Sequence, residues 1–291
     1  MKKVLVLGGT GMLGAACLEV LKKNKDLLVT GTSRSERQGL VKFDAISSNL
    51  SELIESQNPD WIINCIGVIK PHINEKDSGS ILNAIEVNSI FPATLANISE
   101  ELNIKVIQIA TDCVYSGRIG GYNETELHDA EDVYGKTKSL GEVISSNVMH
   151  LRVSIIGPEL GRSTSLLEWF RNQPHGQELN GFTDHLWNGV TTYHFARICE
   201  GIVSSDNFKS GLHHIIPGDV VAKSELLKYF AGAYSRPDIT IKEVESKNKV
   251  DRTLKTNDSQ ANLFFWKNAR YEAPPSILEM VTEQSLNSSI N

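Results

Sequence analysis

The sequence has little of what several classes of protein depend on. It contains only four cysteines, which lie far apart and in no CxxC or metal-binding spacing: Cys17, Cys65, Cys113 and Cys199. This usage predicts reduced, mostly buried thiols. No apolar run approaches the ~20 residues that a membrane-spanning helix needs, and the first predicted strand leaves no room for a signal peptide. We therefore expect a cytoplasmic protein without a membrane partner.

A long basic run and a metal-binding cluster are also missing. The net charge of −6 argues against nucleic acid as the main partner. None of the eight histidines has a partner at metal-binding spacing, so we expect no catalytic metal. The 291 residues are 40% hydrophobic and 22% charged, which is typical of a globular protein with one large domain or two smaller ones around a cleft.

A strand, a glycine-rich turn and a helix follow one another at the N-terminus. Residues 3–7 are apolar and rich in β-formers, and residues 15–21 have helical spacing. Gly8 permits a tight turn, Gly11 lets a pyrophosphate approach the backbone, and Gly14 lets the helix pack closely. The alternative is an ordinary glycine-rich turn. We expect dinucleotide contacts at the helix N-terminus from Gly8, Thr10, Gly11, Met12, Leu13 and Gly14.

The second predicted strand, residues 27–32, indicates which dinucleotide binds. NAD-binding sites usually have an acidic residue at its end, for the ribose 2′-hydroxyl. Here no carboxylate occurs before Glu36, and Arg34 could pair with a 2′-phosphate, helped by the hydroxyls of Thr32 and Ser33. The sequence favours NADP(H). NAD(H) and a merely solvated Arg34 are the alternatives.

Strands and helices alternate further along the chain, which predicts a parallel sheet. Strands are expected at 61–67, 105–110 and 149–157, and a helix at 81–102 with a kink at Pro92. Ligands of open α/β sheets bind beyond the carboxyl ends of the strands, where Cys65, Gly67, Thr111 and Asp112 lie. We predict a Rossmann-type α/β fold, with a doubly wound parallel sheet in an NADP-binding domain over residues 1–157.

Tyr134 and Lys138 lie four residues apart on a predicted helix, and therefore on one face. A nearby ammonium favours the tyrosinate form, so we expect Lys138 to lower the pKa of the Tyr134 phenol towards working pH. Such a phenol can exchange a proton with a carbonyl or an alcohol. The pattern also occurs by chance in many helices. The predicted cofactor turn and the strand ends near it favour a catalytic role.

The regular alternation ends after residue 157. We expect residues 158–291 to form a smaller, mainly substrate-binding region, with some segments returning to the Rossmann sheet and a strand at 211–216. Lys70 would meet a phosphate or be solvated, and Trp187 would contact the substrate or lie in the core; both choices stay open. The candidate substrate-binding residues in these loops and strand ends are Val68, Lys70, Asp112, Trp187 and Asn188.

Taken in order, these motifs resemble the extended short-chain dehydrogenase/reductases, and within them the dTDP-4-dehydrorhamnose reductase family of nucleotide-sugar reductases. The resemblance covers nearly the whole chain. It rests on Gly8-x-x-Gly11-x-x-Gly14, Asn64-Cys65-Ile66-Gly67, Val87-Asn88 with Pro92, Ala110-Thr111-Asp112-Cys113-Val114-Tyr115, Tyr134-Gly-Lys-Thr-Lys138, Leu151-Arg152, and Gly211-Leu212-His213-His214-Ile215 before Ser224.

The resemblance implies roles for the matching positions. Tyr134 would donate a proton, Lys138 would hold the nicotinamide ribose and tune the phenol, and Thr111 would hydrogen-bond the reacting oxygen. Asp44 matches a position that often contacts adenine, and Asn88 is expected to be structural. Arg252 resembles a late arginine that grips the diphosphate, with a surface arginine as the alternative.

The implied reaction is NADPH-dependent reduction of the C4 keto group of a dTDP- or UDP-linked 4-keto-6-deoxyhexose, in deoxysugar or cell-surface polysaccharide biosynthesis. Related 4,6-dehydratases follow their Thr with Asp-Glu, but Cys113 stands in place of that glutamate, so we expect no dehydration. A 4-epimerase, which would hold NAD tightly, is one alternative. Another is a non-catalytic NADP-binding regulatory subunit, like the partners of methionine adenosyltransferase in this family. The sequence leaves open whether the protein is a homodimer.

Overall fold

The structure, a computed structural model, describes residues 1–159 and 164–287. Its strands are β1 (Lys2–Leu7), β2 (Leu27–Ser33), β3 (Leu40–Lys42), β4 (Trp61–Asn64), β5 (Lys105–Thr111), β6 (Val148–Val153), β7 (Ile155–Ile156), β8 (Glu178–Phe182), β9 (His185–Trp187), β10 (Val190–Thr191), β11 (Gly211–His214), β12 (Val221–Ala222), β13 (Thr240–Val244) and β14 (Val250–Asp251). Its helices are α1 (Met12–Leu21), α2 (Leu50–Gln57), α3 (Ser78–Ile85), α4 (Phe91–Glu101), α5 (Val133–Leu140), α6 (Leu166–Arg171), α7 (Thr192–Ser205), α8 (Lys223–Ala233), α9 (Ser259–Asn268) and α10 (Ile277–Asn287).

Seven of the strands form one parallel sheet in the order β11-β6-β5-β4-β1-β2-β3. The predicted doubly wound α/β fold is therefore confirmed. The order reverses between β1 and β4, and ligands of open α/β sheets bind beyond the carboxyl ends of the strands at such a reversal. The turn after β1 and the loops after β4 and β5 meet at this edge.

Apolar residues on the two faces of β1 explain why helices cover both sides of the sheet. Side chains alternate along a strand, so Val4 and Val6 pack into one core with α1 and α7, while Leu5 and Leu7 pack into another with α2 and α4. All four side chains are at most 2% exposed. A strand buried on both faces reads as a continuous apolar run, as residues 3–7 do.

The segment between α3 and α4 differs from the predicted kink at Pro92. One π-helical turn, Glu86–Ile90, joins the two helices and ends before the proline. Pro92 lies in the first turn of α4, where a missing backbone N–H costs little. The irregular turn carries Asn88, which faces the loop after β4.

The C-terminal part of the chain forms three small sheets and contributes one strand to the large one. These sheets pair β7 with β10, β8 with β13, and β9 with both β12 and β14. β11 pairs in parallel with β6 at the edge of the large sheet. The domain boundary at residue 157 stays a prediction. Within the two described ranges, no helix is long and apolar enough to span a bilayer.

Candidate active site

Three glycines shape the turn after β1. Gly8 has a φ of +78°, which glycine adopts at little cost, and its N–H donates to Thr32 Oγ1 at 3.0 Å. A Cβ on Gly14 would overlap the carbonyl oxygen of Gly8, so a side chain there would push α1 away from the strand. Gly11 directly precedes α1 and, as a glycine, has no side chain that could accept a hydrogen bond from the first turn of the helix. The first N–H groups of α1 therefore have no side-chain cap.

These N–H groups suit a pyrophosphate, because a helix N-terminus combines free donors with a positive dipole end. The side chains of Thr10 and Met12 are half-buried at the turn. Leu13 is 5% exposed and packs in the core, so it could meet a ligand only through its backbone. The turn thus fits the predicted dinucleotide through main-chain groups.

The other end of the predicted cofactor site lies where β2 ends. Arg34 is exposed there, whereas Ser33 is 3% exposed. The predicted help from Thr32 is wrong, because its side chain is fully buried and its hydroxyl accepts the Gly8 N–H. Arg34 is therefore the group at this end that could pair with a 2′-phosphate.

Asp44, which the resemblance linked to adenine, holds the turn after β3. Its Oδ1 accepts hydrogen bonds from the N–H groups of Ile46 at 2.9 Å and Ser47 at 3.1 Å. Burial acts to raise the pKa of the Asp44 carboxyl, but these bonds and the charge of Arg34 lower the pKa below its usual value. An ionised Asp44 therefore lies near Arg34, and its contact with adenine stays a prediction.

Tyr134 reaches the end of β5 because α5 packs closely on the turn after that strand. A Cβ on Gly135 would overlap the carbonyl oxygen of Cys113, and Asp132 starts the helix by accepting the Gly135 N–H at 2.8 Å. This packing brings the Tyr134 side chain next to Thr111, the last residue of β5, and the interaction between them acts to lower the pKa of the phenol. Two of the predicted catalytic groups are therefore adjacent.

Lys138 lies one helical turn after Tyr134 and is buried, with 7% of its surface exposed. Its Nζ donates to the carbonyl oxygen of Ile109 at 3.1 Å. Burial lowers the pKa of the ammonium, while Glu142 and Cys65 act in the opposite direction. The ammonium thus lies against β5, the strand that presents Thr111.

The predicted fall of the Tyr134 pKa is wrong in direction. Burial raises the pKa of the Tyr134 phenol, and Cys113 adds to this, whereas the hydrogen bond with Thr111 acts against it. Burial of the phenolate form outweighs any stabilisation by the lysine. Tyr134 therefore stays protonated at neutral pH, which is the form that a proton donor needs.

The two residues after Thr111, the buried Asp112 and the half-buried Cys113, both have raised pKa values. Burial raises the pKa of the Asp112 carboxyl, although the charge of Arg252 opposes the rise. Burial also raises the pKa of the Cys113 thiol to about 12. Since a general base must be deprotonated at working pH, Cys113 is poorly suited to the role that the dehydratase glutamate has.

Two predicted substrate cations lie near the start of α5. Lys70 Nζ pairs with Asp132 Oδ2 at 2.7 Å, while 60% of the Lys70 side chain is exposed, so its contact with a phosphate stays a prediction. Arg252 is half-buried, and its Nε donates to the carbonyl oxygen of Tyr115 at 2.8 Å. Its charge acts to lower the pKa of both Asp112 and Asp132. Arg252 therefore faces the site, contrary to the surface alternative.

The loop after β4 is fixed by its neighbours. Asn88 Oδ1 accepts the Val68 N–H at 2.9 Å, and Asn88 Nδ2 donates to the Val68 carbonyl oxygen at 2.9 Å and to Thr137 Oγ1 at 3.2 Å. A Cβ on Gly67 would lie 3.4 Å from Asn88 Oδ1. The Cys65 thiol contacts that of Cys17, which together with burial raises its pKa. Asn88 thus ties this loop to α5.

Trp187 and Asn188 differ in how they face the cleft. Trp187 is half-buried at the edge of the core, and its Nε1 donates to Ser154 Oγ at 2.9 Å. Asn188 Nδ2 donates to the Leu254 carbonyl oxygen at 2.7 Å, and its Oδ1 accepts the Leu254 N–H at 2.9 Å. Both ends of this amide are therefore occupied by backbone. This corrects the prediction for Asn188, which holds the segment that carries Arg252.

Two charged residues beside this site received no role from the sequence. Arg152 is fully buried in β6, and Glu142 follows the end of α5 and pairs with it. A signal was present, because Tyr134, Lys138 and Glu142 recur at intervals of four residues, which places them on one side of a continuing helix.

Comparison with known proteins adds to this geometry. The family model described as "RmlD substrate binding domain" matches residues 1–277. Methionine adenosyltransferase 2 subunit beta of Danio rerio is 28% identical over 254 residues, which cover 81% of this chain and 75% of that protein. A dTDP-4-dehydrorhamnose reductase of Aggregatibacter actinomycetemcomitans is 25% identical over 234 residues, covering 74% and 73%.

Solved structures share the fold at lower identity. A dTDP-4-dehydrorhamnose reductase of Bacillus anthracis, solved in complex with NADP, superimposes with a TM-score of 0.78 and 17% sequence identity. The match covers 99% of this chain and 100% of that chain. The likeness therefore includes the C-terminal region as well as the large sheet.

Proposed function

This chain belongs to the RmlD substrate binding domain family, and on that premise we propose that it is an NADPH-dependent reductase. The proposed substrate is a 4-keto-6-deoxyhexose linked to dTDP or UDP, and the group that is reduced is its C4 keto group. The observation that carries the proposal is the contact between the hydroxyls of Tyr134 and Thr111. It lies at the carboxyl end of β5, next to the strand at which the order of the parallel sheet reverses, and the Lys138 ammonium on α5 contacts the same strand.

The residues at this edge divide the chemistry between them. When bound, NADPH supplies the hydride that reduces the carbonyl carbon. Thr111 donates a hydrogen bond to the carbonyl oxygen as negative charge develops on it, and Tyr134 transfers its phenolic proton to the same oxygen. A phenol with a raised pKa can still donate here, because a sugar alkoxide is a far stronger base than a phenolate. Lys138 holds the nicotinamide ribose.

The substrate's charged portion is held from the other side of the cleft. Arg252 reaches the site from the C-terminal region and binds the diphosphate, because a guanidinium pairs well with phosphate oxygens. Lys70 lies beside it on Asp132 and adds positive charge. Val68, Asp112 and Trp187 border the sugar. Cofactor and sugar nucleotide therefore enter from opposite sides of Tyr134.

Arg34 gives the proposed preference for NADPH over NADH. We expect Arg34→Ala to raise the Michaelis constant for NADPH about 10- to 100-fold, the scale of a lost charge-assisted hydrogen bond of about 1.5–3 kcal/mol, and to leave that for NADH nearly unchanged. Steady-state kinetics with both cofactors measure this. Arg270→Ala, which removes an arginine side chain that is 71% exposed, is the control. Equal changes for the two cofactors would contradict the assignment.

Two related activities are less well supported. Elimination of water across C5–C6 needs a base in place of Cys113, whose thiol has a pKa of about 12. A 4-epimerase would use the same Tyr134 and Lys138 but would retain NAD through its cycle, which the exposed Arg34 does not favour. Reduction with net consumption of NADPH therefore fits the site better than either.

A non-catalytic, NADP-binding subunit is the second candidate. The match to methionine adenosyltransferase 2 subunit beta of Danio rerio favours it. The retained Thr111, Tyr134 and Lys138 favour an enzyme. The test is NADPH oxidation in the presence of dTDP- and UDP-linked 4-keto-6-deoxy sugars. Turnover with one of these sugars supports the reductase, and NADPH binding without turnover of any of them supports the subunit.

A further inference from the structure

A buried cluster of charge lies beneath α5 and is not used by the proposed reaction. Its centre is Arg152, which is fully buried in β6. The guanidinium contacts Tyr115 Oη at 2.6 Å, His214 Nε2 at 3.0 Å and His128 Nε2 at 2.8 Å, and it also pairs with Glu142 Oε2. Such a group stays in a protein interior only if its charge is compensated.

Glu142 provides that compensation, because the two histidines are neutral. Burial, with the charge of Arg152, lowers the pKa of His128 and of His214 to about 4. Burial raises the pKa of the Glu142 carboxyl above its usual value, although the charges of Arg152 and Lys138 both act to lower it. Glu142 is thus the carboxylate that pairs with Arg152, and its charge also interacts with that of Lys138.

The second oxygen of Glu142 is left without a partner among the described residues, and Lys138 is the nearby cation that interacts with its charge. Glu142 follows Lys138 by four residues, and its N–H still donates to the Ser139 carbonyl oxygen at 3.2 Å beyond the last turn of α5. Within the described part of the chain, Glu142 Oε1 is buried and has no hydrogen-bond partner. The charge of Glu142 acts to raise the pKa of Lys138.

The other titratable groups that face Lys138 carry no charge at neutral pH. Cys65, at the end of β4, has a thiol pKa raised well above its usual value by its contact with Cys17 and by burial. His150, on β6, has its pKa lowered to about 4 by burial. A neutral thiol and a neutral imidazole cannot offset the cost of burying an ammonium. Glu142 is the charged group that can.

We propose that Glu142 is a positioning residue for Lys138: its carboxylate, fixed by Arg152, keeps the buried lysine protonated and directed at the Ile109 carbonyl oxygen. This inference rests on the proposed function in one respect, since that function gives Lys138 its task of holding the nicotinamide ribose. The charge of Lys138 itself can be measured without any substrate, so the two can fail separately.

The test follows the titration of Lys138 by NMR in protein labelled with ¹³C at the lysine Cε positions. The signal is assigned by its loss in Lys138→Arg. We expect Glu142→Gln to move the titration midpoint of Lys138 to lower pH by about one pH unit or more, the scale of losing a nearby opposite charge. Glu142→Asp should restore most of the shift. The alkaline limit of NADPH binding should move to lower pH by the same amount.

A second variant keeps the test decisive if Glu142→Gln unfolds because Arg152 is left without its partner. The double variant E142Q/R152M removes both buried charges together, and it should still move the Lys138 midpoint to lower pH, but by less than Glu142→Gln because loss of the Arg152 cation acts in the opposite direction. Glu168→Gln is the matched control, since Glu168 is also buried and pairs with an arginine, at 3.1 Å, but on α6. It should leave Lys138 unchanged.

The outcomes separate this inference from the proposed function. A midpoint unchanged from the wild type in Glu142→Gln or in E142Q/R152M overturns the role of Glu142, even if the protein reduces nucleotide sugars. A shifted midpoint in a protein that turns over none of the sugars supports the role of Glu142 and overturns the reductase. A shift of equal size in Glu168→Gln also contradicts the inference, because the effect would not be specific to Glu142.

Discussion

Replacing Tyr134 with phenylalanine is expected to lower the turnover number by about two to four orders of magnitude, the usual contribution of a general acid. NADPH binding should be largely unchanged, because the variant lacks only the phenolic oxygen. Turnover should fall because Thr111, which lies next to the Tyr134 hydroxyl, cannot replace Tyr134 as the proton donor. A threonine hydroxyl is a much weaker acid than a phenol.

Tyr229→Phe is the matched control for this change. Tyr229 is half-buried on α8 and has no role in the proposed reaction, so loss of its hydroxyl should leave turnover near that of the wild type. Turnover is measured by NADPH oxidation, and binding by fluorescence titration of NADPH. Turnover of Tyr134→Phe close to the wild-type value would show that another group delivers the proton.

Gly14→Ala is expected to reduce both stability and cofactor binding. An added Cβ would overlap the carbonyl oxygen of Gly8, and over-packing of this kind costs about 1–3 kcal/mol. The loss should exceed the about 0.5–1 kcal/mol that alanine gains over glycine inside a helix. Because the same overlap displaces the first turn of α1, we expect the dissociation constant for NADPH to rise at least about tenfold. Chemical denaturation and NADPH titration measure the two effects.

Gly232→Ala tests whether the clash, and not the loss of a glycine as such, is responsible. Gly232 lies inside α8, and a Cβ there would meet no heavy atom within 4 Å. The change in stability should then depend on helix propensity alone. We expect the free energy of unfolding to rise by about 0.5–1 kcal/mol and NADPH binding to stay unchanged. If both alanine variants shifted stability in the same direction, close packing at Gly14 would not explain the effect.

The fold could be predicted because its signals are local. The apolar residues 3–7, the glycines that follow, and the strand ending at Thr111 each occupy a short stretch of sequence, and each specifies its own strand or turn. Parallel connection then brings the carboxyl ends of those strands to one edge. That argument placed Thr111 at the ligand-binding edge, and the family resemblance implied its role together with Tyr134.

What could not be predicted depends on burial and on contacts between distant segments. The pKa of Tyr134 was expected to fall because Lys138 is four residues away, but burial raises it. Asn188 was assigned to the substrate by its residue type, although its amide is bonded to Leu254, 66 residues along the chain. Arg152 matched a family motif, but its link to Lys138 through Glu142 is visible only when β6 and α5 are packed together.

The central claim is that this protein transfers a hydride to C4 of a nucleotide-linked sugar. The most direct measurement uses NADPH deuterated at nicotinamide C4, on either face in separate reactions, with a dTDP- or UDP-linked 4-keto-6-deoxyhexose, and locates the label by NMR. We expect one deuterium at C4 of the sugar from one of the two cofactors, and none with Tyr134→Phe over the same time. Deuterium at another carbon, or none in the sugar while NADPH remains bound, would contradict it.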